Sequence, residues 1–467
     1  MPLFFVALGL LFPLVSHAHI KWFSSYGFEQ APLSLSAVFA SPYFWPLFAL
    51  SLLSLPAIVF LDRLAENSKA YRKFNLFLDR YASNSHLIMR VAMAAVLLMS
   101  WQADSIIAPE IAIPSPIWGW VELLLAVLLL FRETSHISGL GILIFYAMGI
   151  TNHGLFHMLD YVVYPAVGLF FVLSHFKNER VRNLRLPVLY SGLGFSLCWV
   201  AFEKLIYPYW GISVLEQAPA LTMGFAKDFF LEGAAFVEFT LGYLLIICLL
   251  QRPLAVVITV VFIITTSFFG KTEVMGHTML HGALLVFIVA GPGHYYQAPI
   301  KFHRSPFMRS LFAIVNFVLL FFAMAYPYQK MASDVHARMV AQRNAAVPDG
   351  IAAPADARSP QAEITVIQDK HGGWNVYVKT NDFRFSPEHA GLAHRFGEGH
   401  AHVYVNGEKQ MRLYGSWFHL NLPKGKSWLK VGLYSNDHRP YVKDGRPVAP
   451  EIEILETRES AAATHAH

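Results

Sequence analysis

Apolar runs long enough to cross a lipid bilayer recur between residues 42 and 326, and this recurrence limits the chain more than any motif does. A hydrocarbon core of about 30 Å asks for roughly 20 predominantly apolar residues per helix, and only structures that satisfy their own backbone donors can sit in it. The runs fall near 42–61, 90–108, 115–131, 136–152, 158–175, 186–206, 231–250, 253–269, 279–293 and 309–326, which predicts about ten spans. Charged residues make up 14% of the 467, against about 25% in ordinary globular domains. A soluble globule is therefore excluded. The fold class expected is a polytopic α-helical membrane protein carrying a C-terminal all-β sandwich.

The polar connections sort by charge. Arg63, Lys69, Arg72, Lys73 and Arg80, then Arg132, then Lys177, Arg180, Arg182 and Arg185, then Arg252, and finally Lys301, Arg304 and Arg309 all fall on one side if the spans alternate. The positive-inside rule makes that side cytoplasmic. His19, the loop near 207–228 and everything after Tyr326 then face the periplasm or exterior. The expected location is a bacterial inner membrane, multi-pass, with the lipid bilayer as partner and the C-terminal domain periplasmic.

Residues 1–18 resemble a secretory signal with a small-residue cleavage site, although the missing positive n-region leaves an uncleaved anchor as the alternative. Cutting after Ala18 would expose His19, whose amine and imidazole chelate one metal ion in a manner that suits copper. Cys198 and Cys248 lie inside apolar segments, no CxxC exists, and both read as packing residues. The net charge of +5 comes with no patch that would hold nucleic acid. No nucleophilic triad, phosphate loop or nucleotide fingerprint is present to support a hydrolase or an ATP-driven pump.

Chemistry concentrates where histidines cluster. Gly270-Lys-Thr-Glu-Val-Met-Gly-His-Thr-Met-Leu-His-Gly282 carries Glu273, His277 and His281 at four-residue steps. Such spacing puts them on one face of a helix. Asn152-His-Gly-Leu-Phe-His-Met-Leu-Asp160 repeats the look with His153 and His157. Both stretches fall on the outer side, so the expectation is a metal-ligand cluster at that rim. Imidazole and carboxylate suit copper, zinc or iron, Met275 and Met279 add thioether character, and a bis-histidine haem is a competing use. Glu122, Glu203 and Glu238 lie in apolar runs. They serve either as ligands and proton carriers or as partners of Arg132, Lys204 or a backbone donor.

Two blocks, 87–176 and 186–293, look duplicated after an N-terminal segment, 19–86. Val121-Glu122 opens a run ending at Arg132, and Val237-Glu238 opens one ending at Arg252. A constant offset of 120 sets His153 opposite Glu273, His157 opposite His277 and Tyr161 opposite His281. Each block would be a four-helix unit. Phe202-Glu-Lys-Leu205, Val237-Glu238, Gly276-His277 and His281-Gly-Ala283 give the second block a resemblance to the DoxX-like family of four-helix membrane proteins. That resemblance implies the fold, and a role as a quinone-linked oxidoreductase or one of its subunits.

After the final span, 309–326, residues 330–360 read as a linker, and 361–457 switch to period-two patterning. Glu363–Ile367, Trp374–Lys379, His400–Val405, Gln410–Tyr414, Trp417–Leu420, Ser427–Tyr434 and Glu451–Leu455 read as strands, with a hairpin at Asn406-Gly407. Seven or so short strands predict a small β-sandwich. His400 and His402, two apart on a strand, share a face. Met411 lies across the hairpin and His419 on the next strand, while His389, His394 and His438 fall in loops able to close over one end. Carboxylate binding, or hydrogen bonding within the sheet, is the alternative use of these positions. The run Gly399 to Gly407, then Arg412-Leu-Tyr-Gly-Ser-Trp-Phe-His419 and Asn436-Asp-His-Arg-Pro440, resembles a domain of exported bacterial proteins.

The function these features predict is binding and handling of a transition metal, copper first, at the periplasmic face. It would serve transport or delivery to a metalloprotein or redox partner. The alternative is the quinone-linked oxidoreductase reading, with the histidines acting on a quinol or holding haem.

Overall fold

The computed structural model describes residues 30–456 except 104, 113–114, 270, 294–298, 304, 345–349, 356, 371, 390–392 and 423–424. The signal segment, His19 and the histidine tail at 464–467 lie outside the described residues. Contacts divide the chain into two compact units, Met1–His336 and Ala337–His467.

The first unit is helical. Its principal helices are α1 (Phe44–Asn67), α2 (Lys69–Asp79), α3 (Ser85–Gln102), α4 (Pro116–Leu128), α5 (Ser135–His153), α6 (Val163–His175), α7 (Arg185–Ile206), α8 (Lys227–Ile246), α9 (Gln251–Phe269), α10 (Lys271–Ala290) and α11 (Pro306–Asn344). Among the described residues, six segments are long and apolar enough to cross a membrane: Phe44–Asn67, Ala82–Gln102, Glu179–Ile206, Lys227–Ile246, Glu273–Ala290 and Pro306–Ala341. Leu155–Tyr161 with Val163–His175, bent by 60°, makes a seventh if counted as one span.

The remaining expected runs are helical too, but shorter or more polar. Pro116–Leu128 is 13 residues, and Ser135–His153 begins Ser-His and ends Asn-His, which dilutes its apolar stretch. The run expected to continue to 108 stops at Gln102, and a short antiparallel strand pair, Ser105–Ile106 with Ala108–Ala112, takes over. The segment read as a linker from 330 continues helix α11 to Asn344. Its Gln, Lys, Met, Ala and Arg residues are good helix formers, so composition that looks linker-like carries helix here.

Glycines set how close the helices come. A Cβ on Gly194 of α7 would lie 2.6 Å from the Gly242 carbonyl oxygen of α8, and one on Gly242 would lie 2.6 Å from that of Gly194. The α5–α6 contact repeats this with Gly139 and Gly168, at 2.6 and 2.8 Å. Apolar helices in lipid gain little from burying surface against each other, so close backbone approach at small residues supplies much of their packing. Leu53, Val91, Leu130, Leu319 and many other large apolar side chains face outward instead.

Two of the buried acidic groups in this unit have clear partners within it. Lys204 Nζ donates to Glu238 Oε2 at 2.6 Å, with both side chains essentially inaccessible. Glu122 accepts the Ile107 N–H at 3.1 Å and holds that residue at φ +51, a rare conformation for a β-branched side chain.

The second unit is built of strands β1 (Gln361–Gln368), β2 (Trp374–Asn381), β3 (Arg384–Phe385), β4 (Glu398–Val405), β5 (Glu408–Leu413), β6 (Trp417–Leu420), β7 (Gly425–Ser435) and β8 (Glu451–Glu456). One sheet runs β8-β7-β4-β3, with β5 also paired to β4, and another runs β1-β2-β6. Short strands Ile351–Ala352, Tyr441–Lys443 and Arg446–Pro447 form a third. Val376 and Val378 from one sheet share an apolar cluster with Ala401, Val403, Val431 and Leu433 from the other.

Candidate metal centre

Strand alternation decides which side of β4 carries chemistry. Ala401, Val403 and Val405 point into the apolar cluster, so His400, His402 and Tyr404 project from the opposite face. Register brings Tyr434 of β7 opposite His400, Gly432 opposite His402, and Arg412 of β5 opposite His402 on its other edge. The glycine leaves room above the His402 ring. Tyr434 stacks on that ring with centroids 3.9 Å apart, and Tyr414 stacks on His400 at 5.4 Å. The aromatic cover leaves His400 fully buried and His402 7% exposed. Gly399, just before them, has no alternative, because a Cβ there would drive into the Tyr434 carbonyl oxygen.

The third ring comes from the turn after β7. His438 adopts φ +66, a left-handed conformation that His enters more readily than most residues. The turn is pinned on all sides. Ser435 Oγ donates to Asp437 and accepts the Arg439 N–H at 3.1 Å, Asp437 pairs with Arg439 at 2.8 Å, and buried Asn436 accepts from Ser386 Oγ at 2.9 Å. This directs His438 Nδ1 to 3.1 Å from His400 Nε2, which is itself 3.0 Å from His402 Nε2. The donor atoms of His400, His402 and His438 all lie within 4.8 Å of one another.

Imidazole binds transition metals at about 2.0–2.1 Å. Tetrahedral angles then separate two donor nitrogens by roughly 3.3 Å, near the 3.0 and 3.1 Å that separate His400 Nε2 from its two neighbours. The cluster could hold a metal ion.

Its electrostatics favour the neutral imidazole over the imidazolium. Burial, then the neighbouring positive charge of His438, Arg412 and Lys409, lowers His400 to about 4. Burial, then chiefly Lys409, lowers His402 to about 3. Both rings are neutral near neutral pH, so each keeps one ring nitrogen unprotonated. Lys409 Nζ lies 3.0 Å from His402 Nε2, so a positive charge stands beside the cluster.

The other expected ligands fall elsewhere. Met411 pairs with Val403 across the hairpin, which sends its side chain to the apolar face, away from the histidines. His419 sits on β6 in the other sheet, exposed, with Nδ1 3.0 Å from Asn375 Oδ1. His153 and His157 do not share one helix. Gly154 at φ +85 ends α5 at His153, and His157 belongs to the short helix Leu155–Met158, with ring centroids 5.6 Å apart.

Glu273, His277 and His281 do lie on one helix, α10. His277 is buried, stacked on Phe262 at 4.5 Å, with Nδ1 3.4 Å from both Glu273 Oε1 and Thr266 Oγ1. His281 stands perpendicular to it at 6.3 Å. Among the described residues, no three of these five donors come together as the β-unit histidines do.

His438 is the member of the cluster hardest to find from sequence. Its only signal was position in the turn Asn436-Asp-His-Arg-Pro440, which marks a loop but not where a ring points. No family model, no curated protein and no solved structure matches the chain.

Proposed function

We propose that this is a multi-spanning membrane protein that captures a transition-metal ion, copper first, on its β unit for passage or delivery. The observation that carries this is that donor atoms of His400, His402 and His438 all lie within 4.8 Å of one another. Copper leads because an all-imidazole site ranks Cu(II) above the other divalent first-row ions. Two ligands are buried and the third, His438, is exposed on a turn. An ion can therefore enter and leave along the His438 side without the sheet opening. The adjacent Lys409 and Arg412 charges oppose tight retention of a cation, which suits exchange over permanent structural binding. By the positive-inside argument the β unit lies in the periplasm of a bacterial inner membrane.

The test is a competitive copper and zinc titration of the full chain with elemental analysis. One ion per chain is expected, with copper displacing zinc, and His400→Ala/His402→Ala should abolish it. An unchanged stoichiometry in that variant rejects the reading.

A further inference from the structure

Helix ends of the first unit carry three arginines around one buried histidine. His86 at the start of α3 is buried, with Nε2 3.2 Å from Ser135 Oγ at the start of α5. Around it, within electrostatic reach, stand Arg90 of α3, Arg132 of the α4–α5 turn and Arg185 at the start of α7. The Phe170 ring of α6 ties them together, stacked on His86 at 6.2 Å and lying 5.8 Å below the Arg185 guanidinium.

Among the described residues none of the three arginines has a carboxylate partner. Glu179 is taken by Arg182 at 3.2 Å, and Glu133 beside Arg132 is exposed. Arg90 gives one N–H to the Leu130 carbonyl at 3.0 Å, while its buried Nε makes no hydrogen bond. Three guanidinium groups gathered beside apolar surface repel one another more than they would in water. An anion among them removes that cost.

The surroundings indicate which anion. Leu87, Val91, Leu130 and Phe131 flank the arginines, and each is between 50% and 66% exposed. A ligand that matches both features has a phosphate for the guanidinium groups and hydrocarbon for the apolar flank. Guanidinium forks bind phosphate oxygens in pairs, and basic pockets between membrane helices are suited to anionic headgroups. We propose that Arg90, Arg132 and Arg185 form a binding site for the phosphate of an anionic phospholipid, whose acyl chains lie along Leu87, Val91 and Leu130. This rests on the membrane reading above and is independent of the metal site.

The test is native mass spectrometry of the full chain, released from nanodiscs of mixed phosphatidylglycerol and phosphatidylcholine. Wild-type protein should retain phosphatidylglycerol preferentially. Arg132→Gln/Arg185→Gln should cut that retention about tenfold or more, as loss of charge-assisted contacts implies. Arg72→Gln/Lys73→Gln, on the exposed face of α2, should leave it intact. If the glutamine pair does not fold, Arg132→Lys/Arg185→Lys carries the test, with retention expected to fall several-fold.

Unchanged retention in the folded site variant overturns the proposal. So does an equal loss in the α2 variant, which would indicate diffuse charge. Full competition by inorganic phosphate also overturns it, since the ligand would then be soluble. Failure of the membrane reading shows separately, as protein released from membranes without detergent.

Discussion

Histidines occur in both units, and the two settings put them to different use. In α10, His277 and His281 lie one turn apart with rings 6.3 Å apart and perpendicular, and His277 spends its contacts on Phe262, Glu273 and Thr266. In the β unit, His400 and His402 lean along the strand until their Nε2 atoms are 3.0 Å apart, and a turn brings a third ring from 36 residues later in the chain. Four-residue spacing puts two side chains on one helix face, but it leaves them a turn of about 5.4 Å apart. Convergence needs a further element that closes on them. The β unit has the His438 turn; among the described helical histidines two rings from different helices do meet, His136 and His175 at 3.9 Å, but no third donor joins them. Lys204 and Glu238 thus tie two helices together, whereas the three rings beside β4 form a cluster that could hold an ion.

The largest expected effect tests the first half of that contrast. Lys204→Met removes the cation of a buried ion pair and should destabilise the unit by about 3–5 kcal/mol, while copper binding by the β unit persists. Denaturation in detergent reads the stability, and a loss below about 1 kcal/mol would mean that the pair is not structural. Next is His277→Ala, which removes a buried stacked ring and should cost about 2–4 kcal/mol with no change in metal stoichiometry. A fall in stoichiometry there would erase the distinction between the two settings.

The pH response sharpens the other half. His400 and His402 sit at about 4 and about 3 in the folded protein, against about 6.5 unfolded. A depressed value means that the unfolded chain takes up protons first. Their contribution is thus complete above about pH 6.5 and lost progressively as pH falls toward the folded values. Hydrogen-exchange protection of β4, corrected for intrinsic rates, should decline over that window, and bound metal should delay the decline. The smallest effect is that of His438→Ala. Removing the exposed ligand should weaken copper by about 10- to 100-fold, a range comparable to that for altering a metal site's supporting contacts. It should leave the fold unchanged, as judged by the same exchange measurement.

Much of this architecture was readable in the residues. Apolar length identified helices from 44 to 326, and period-two patterning found β1, β2, β4 and β7 close to their true bounds. His400 and His402 followed from strand alternation alone. Met411 faces the apolar cluster because the hairpin register shifts between Val403 and Tyr404, and sequence does not display that shift. His153 and His157 lie on separate helices because Gly154 turns the chain at φ +85, breaking a helix that spacing alone would continue. His438 needed the pinned turn. Helix α11 outran its apolar segment because helix propensity persists after hydrophobicity ends.

The central claim is that three imidazoles of the β unit bind one ion and that the helical histidines take no part. Metal-edge absorption spectroscopy of the copper-loaded full chain, repeated on His277→Ala/His281→Ala, tests it most directly. The account predicts the same spectrum from both, with three imidazole nitrogens near 2.0 Å and no sulfur neighbour. A thioether contribution from Met275, Met279 or Met411, or a signal lost with the helical histidines, would contradict it.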